Sequence, residues 1–304
     1  MDQFTSHPLY RKHDIDSVMS SLWSFYKKYF VTLFVVSFIM SLAVQYIASA
    51  IDIQALQAYS EDPGKLYDKL KEFIGPMIIV SLINLLFSTI LQYYVLYRPI
   101  DQEAGIITSL YRSARFFIPF LIIMILFAFA GSFAIVLGLF ALIIGVFFAI
   151  LYLMTIYLFI LPVLIIEGPD IGTTIKRSFT LAHKGFWTNV GWTAIIAMMI
   201  ILISVIFSSI ILLPFTGNFL DIISNPEEAS GMTDFSKSPV YIVLSAVVNA
   251  LYFPVLPIFG AILYFNAKAR EENEFMEISE NDEPEKISIE DLYAKPREEK
   301  TPED

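Results

Sequence analysis

The sequence contains no cysteine. Disulfides, thiolate metal sites and thiol nucleophiles are therefore excluded, and the redox compartment leaves no trace in the chain. Histidine is nearly as scarce, with His7, His13 and His183 as the three. A catalytic iron or zinc centre built on several imidazoles is not expected, and no other cofactor is. Charged residues make up 16% of the chain, against roughly 25% in soluble domains. No phosphate-binding glycine loop, zinc-ligand spacing or nucleophile signature occurs, so no catalytic residue is assigned and enzyme activity is not expected. What fills the chain instead is apolar: 56% of residues are hydrophobic and 15% aromatic. That composition is one of an integral membrane protein.

The net charge of −10 belongs to one end. Residues 271–304 carry 14 acids and 4 bases, whereas residues 1–270 carry 16 of each. The expected division is a polytopic membrane domain over 1–270 and a disordered, acidic cytoplasmic tail over 271–304. Within the tail, ISIEDLY at 287–293 is a candidate motif for a protein partner. Nucleic acid is not expected as a partner.

A spanning helix needs about 20 apolar residues at 1.5 Å each to cross roughly 30 Å of hydrocarbon. Candidate spans fall at about Tyr29–Ala50 and Pro76–Tyr97. The apolar run 116–166 is too long for one crossing and is expected to fold back near Gly138 and Gly145, giving Phe116–Leu137 and Leu142–Ile166. Trp187–Leu213 and Pro239–Phe265 complete six, the last kinked by Pro254 and Pro257. Residues 1–28 lack the pattern of a cleavable signal. Lysines and arginines favour the N-terminal segment and the even-numbered loops, which places both termini in the cytoplasm. The expected location is the inner (cytoplasmic) membrane, multi-pass.

Asp170 is placed to cap a helix after the Glu167-Gly168-Pro169 stop. From there the chain is amphipathic, with Ile171, Ile175, Phe179 and Ala182 on one arc and Lys176, Arg177 and Lys184 on the other. Residues 14–30 align with 170–186 without gaps, sharing Asp14/Asp170, Ile15/Ile171, Lys28/Lys184 and Phe30/Phe186, and 102–118 fit the register more loosely. The expected architecture is all-α: six transmembrane helices as three hairpins, each preceded by a cytoplasmic interfacial amphipathic helix. The candidate lipid-headgroup contacts are Lys27, Lys28, Arg112, Arg115, Lys176, Arg177 and Lys184.

Pro162 and Glu167 in LPVLIIEG, the KRSF and KGFW that follow, and the closing ILYFNAKAREE give the chain a likeness beyond composition. It resembles a bacterial membrane-domain family found fused to glycerophosphoryl diester phosphodiesterases and as stand-alone inner-membrane proteins of the YciC type. Asn266 stands where that family's closing motif usually has Asp, and a Pro-Gly pair common in its fourth span is absent. The resemblance implies a six-helix membrane fold and assigns no activity to any residue. Pro162, Glu167 and Asp170 are read as structural motif residues.

Within these boundaries no span holds Lys, Arg, Asp or Glu, which argues against a proton-coupled pump. Gln45, Asn84, Gln92 and Asn249 are the notable polar groups, suited to interhelical hydrogen bonds or to a polar pocket. Two function classes follow: a non-enzymatic protein that contacts membrane lipids or acts as a scaffold, and a transporter or permease for a small or lipid-like substrate.

Overall fold

A computed structural model describes residues 2–50, 63–212 and 237–281. Among the described residues the regular structure is entirely helical. A 3-10 turn at Asp2–Phe4 precedes α1 (Ile15–Lys28), α2 (Phe30–Ser49), α3 (Pro63–Tyr97), α4 (Ile106–Phe140) and α5 (Leu142–Ile166). Then come α6 (Ile171–His183), α7 (Phe186–Leu212), α8 (Pro239–Tyr252) and α9 (Val255–Asn281). Six segments are long and apolar enough to cross a membrane: α2, Leu70–Tyr97 of α3, α4, α5, Phe186–Ile211 of α7, and Pro239–Asn273, which joins α8 to α9. Apolar side chains such as Val31, Ile39, Ile125, Phe133, Ile201 and Val205 are exposed along these helices, as a lipid solvent requires.

Local chemistry sets the boundaries. Asp14 and Ser17 form a capping box: the Ser17 N–H donates to Asp14 Oδ1 at 2.9 Å, and the Asp14 N–H donates to Ser17 Oγ at 2.9 Å. Asp170 accepts from the Thr173 N–H at 2.6 Å and starts α6. Gly168 and Gly185 have φ of +119° and +103°, which supply the sharp turns on either side of that helix. At the tip of the α4–α5 hairpin, a Cβ on Gly138 would lie 2.8 Å from the Gly145 carbonyl oxygen, so only glycine lets these backbones meet. The positive φ of 61° in the turn falls on Leu142 rather than on a glycine.

Three places add detail to the expected boundaries. The second repeat copy, 102–118, forms no helix of its own: α4 runs unbroken from Ile106 through Pro119 to Phe140. The first and third copies stop at Tyr29 and at Lys184-Gly185, but Phe116-Phe117-Ile118 offers no breaker at the matching place. The sixth crossing is two helices, because Pro254 cannot donate to the Ala250 carbonyl. The neighbouring Leu251 carbonyl accepts instead from the Tyr26 hydroxyl at 2.7 Å. Finally, the expected boundary after Arg270 falls inside α9, which continues to Asn281. Residues 282–304 and the motif at 287–293 lie outside the described residues.

The core surrounds α9. Ile258, Phe259 and residues 261–265 are essentially inaccessible, walled by α1, α3 and α5. The His13 N–H donates to the buried Asn266 Oδ1 at 2.9 Å while Tyr26 reaches Leu251, so α1 runs back along α9. Likewise α6 packs along α5, and its last residue, His183, lies 3.3 Å from the Tyr152 hydroxyl. These helices spend their apolar sides on the protein. α1 buries Val18, Leu22, Phe25 and Tyr26, and α6 buries Leu181 and Ala182, whereas Trp23 and Phe179 stay exposed. An apolar α9 needs cover all round, and α1, from the other end of the chain, supplies it on one side.

Candidate functional site

One end of the bundle gathers the polar chemistry. The Glu167 carboxylate, at the end of α5, meets Arg177 of α6 and Lys268 and Tyr264 of α9. Arg177 Nε donates to Glu167 Oε2 at 3.2 Å and its Nη1 donates to Glu271 Oε1 at 2.9 Å, with Nη2 also on Glu271. Lys268 Nζ lies 3.3 Å from Glu167 Oε1 and 3.6 Å from Glu271 Oε2, and the Tyr264 hydroxyl donates to Glu167 Oε1 at 3.0 Å. Two acids and two bases thus balance. Their side chains are only 12–24% exposed, so the fork of the guanidinium is held in a sheltered, fully paired setting. Burial opposes the Arg177 charge, yet bonding to Glu271 and attraction by Glu167 outweigh it and raise its pKa above the ordinary value.

The cluster is a clamp between three helices. It explains Glu167, for which the sequence offers no partner, since 97 residues separate it from Tyr264 and 94 separate Arg177 from Glu271. Asp170 caps α6, and Pro162 is buried within α5.

The N-terminal segment closes the same end, a feature no sequence signal indicates. Phe4, His7 and Leu9 are buried, and the His7 ring stands 4.6 Å from that of Phe265. His7 Nδ1 accepts from the Leu9 N–H at 3.1 Å, so its proton is on Nε2, which donates to the Val95 carbonyl at 3.2 Å. Desolvation holds the His7 pKa down at about 4, against the upward pull of the Val95 bond. Burial likewise lowers that of His13.

The seven expected headgroup contacts separate into two kinds. Arg177 is committed to the clamp, and Arg112 pairs with Asp101 at 2.8 Å. Lys27 lies over the Trp23 ring at 5.5 Å, Lys28 over Tyr29 at 5.3 Å and Arg115 over Phe116 at 4.6 Å. Lys176 is exposed, and Lys184 is exposed two residues before Phe186, where α7 begins.

A cavity of about 260 Å³ lies inside the bundle, lined by Asn84, Ser88 and Gln92 of α3, Tyr157 of α5 and the segment around Pro257. Among the described residues, no group of three or more His, Asp or Glu is arranged to hold a metal ion. No protein-family model, curated protein or solved structure matches the chain.

Proposed function

We propose that this multi-pass membrane protein is a non-enzymatic, lipid-interacting or scaffolding protein of the inner membrane, with both termini in the cytoplasm and anionic headgroups as its ligands at the basic end. It is read as a relative of the bacterial membrane domains fused to phosphodiesterases. The observation that carries the reading is the neighbourhood of base and exposed aromatic at the start of two crossings. Lys27 and Lys28 sit with Trp23 and Tyr29 ahead of α2, and Lys184 lies ahead of the exposed Trp187 in α7. Aromatic rings prefer the headgroup layer, and each base near an anionic surface contributes about 1 kcal/mol, weakened by salt.

The test uses the bases outside the clamp. Lys27→Gln, Lys28→Gln and Lys176→Gln together should reduce retention of phosphatidylglycerol in native mass spectrometry, with unchanged melting and orientation. Unaltered retention with orientation preserved refutes headgroup binding and leaves the bases as insertion signals only. The cavity favours the second reading, a permease for a lipid-like substrate.

A further inference from the structure

We propose that the interior cavity binds one uncharged lipid of the diacylglycerol type, drawn from the bilayer through the groove between α3 and α4. The proposal stands independently of headgroup binding at the basic end. Three observations support it.

The first is position. Asn84 and Met124, both on the cavity wall, fall near the middles of the crossings Leu70–Tyr97 and Ile106–Phe140. Tyr157 and Leu256, also on the wall, fall near the middles of Leu142–Ile166 and Pro239–Asn273. The cavity is therefore at mid-height, where polar groups are costly unless they serve a purpose. Yet Asn84, Ser88 and Gln92 recur every four residues along one face of α3 and turn that polar stripe to it.

The second is the wall opposite. Phe253, Leu256 and Pro257 line the cavity at the point where α8 gives way to α9. Pro257 has no N–H to offer the Phe253 carbonyl, and Gln92 Nε2 already donates to the Pro257 carbonyl at 3.2 Å. A broken helix with freed backbone acceptors at the midplane is the way bundles build interior binding sites.

The third is access and charge. A groove of about 860 Å³ opens between α3 and α4, lined by Ile74, Met77, Ile78, Leu121 and Ile125 among others. Asn84, Leu85 and Met124 line both spaces, so groove and cavity meet there. Both spaces are within, or just below, the range of ligand sites, about 300–1,000 Å³. The groove suits an acyl chain and the cavity a small head. Among the described residues no Lys, Arg, Asp, Glu or His lines either space, so a phosphate or ammonium entering would find no counter-charge among them, whereas a hydroxyl or ester finds amide and hydroxyl partners.

The experiment places the full chain in phosphatidylcholine nanodiscs with a diazirine-bearing diacylglycerol and maps the photolabelled peptides by mass spectrometry. Labelling should concentrate on residues 77–85 and 121–128, saturate, and be displaced by unlabelled dioleoylglycerol but not by dioleoylphosphatidic acid. Asn84→Leu with Ser88→Leu should lower the displaceable labelling about tenfold, from the loss of two hydrogen-bonding partners and of space. Leu85→Trp, which obstructs the junction and leaves the polar stripe intact, should do the same and decides the matter if the first variant does not fold. The Lys27→Gln, Lys28→Gln variant should label as the parent does, which separates this site from headgroup contacts. Uniform, non-saturable labelling of all lipid-facing helices, equal displacement by phosphatidic acid, or undiminished labelling in the Leu85→Trp variant would overturn the proposal.

Discussion

Arg177 holds α5, α6 and α9 together through two carboxylates. Replacing it leaves Glu167 and Glu271 facing each other with one lysine between them. Fully buried pairs lose about 3–5 kcal/mol when one partner is removed and exposed ones about 0–1, so Arg177→Gln should cost about 1–3 kcal/mol here. Melting in detergent should fall by several degrees, and Arg177→Lys should recover only part, since an ammonium cannot bridge both acids in a fork. Lys176→Gln, one residue away and exposed, should leave the melting temperature where it was. His7 makes a second prediction at this scale. Its folded pKa is about 4 against 6.5 when solvated, so the unfolded chain binds the extra proton. Its contribution is complete above about pH 6.5 and is lost as the pH falls towards 4, amounting to no more than about 3 kcal/mol. His13 is shifted the same way, and the Arg11 charge nearby adds to its shift. The drop in melting temperature between about pH 7 and pH 4 should therefore shrink in His7→Asn, and shrink further when His13→Asn is added.

At the scale of elements, one contact is set by backbone and another by side-chain chemistry. A Cβ at Gly260 would lie 2.8 Å from the Leu158 carbonyl oxygen, so α9 and α5 touch backbone to backbone. Gly260→Leu forces them apart beside the clamp and the cavity at once. It should lower the melting temperature more than Gly191→Leu does, since a Cβ at Gly191 meets nothing within 4 Å. The end of α9 supplies the other case. Glu271 belongs to the clamp, and Glu272 hydrogen-bonds Tyr10 of the N-terminal segment. A chain ending at Glu272 should melt like the full protein, and a chain ending at Arg270 should melt several degrees lower. Equal melting of the two truncations would show that the clamp needs only Glu167 and Lys268. The acidic composition that suggests a tail from residue 271 onward is misleading for these two residues, because Glu271 is matched by Arg177, 94 residues away, and by Lys268, and Glu272 by the Tyr10 hydroxyl.

For the whole molecule, the basic end should face the cytoplasm. Reporter fusions at Pro63, Gly168 and Lys237 should read outside, inside and outside, and an outside signal at Gly168 would invert the bundle. Exchange of the bases outside the clamp for Gln should leave this pattern intact, because Arg11, Arg98, Arg112, Arg177 and Arg270 remain on that side.

The sequence by itself determined the number of crossings, the hairpin near Gly138 and Gly145, the cap at Asp170 and the kink near Pro254. Each rests on residues adjacent in the chain: a run long enough to span, a glycine where backbones meet, a carboxylate beside free N–H groups, a ring without an N–H. Tertiary structure alone decided what the helices face. The same amphipathic pattern in 15–28 and 171–183 suits a lipid surface or a buried neighbour equally well, and in the fold Val18, Leu22, Leu181 and Ala182 meet neighbours while Trp23 and Phe179 stay exposed. The partners of Glu167 and the union of Asn84, Ser88, Tyr157 and Pro257 around one cavity also lie beyond local pattern. They depend on crossing angles fixed by packing across the whole bundle, which bring Tyr264 to Glu167 across 97 positions and Gln92 to Pro257 across 165.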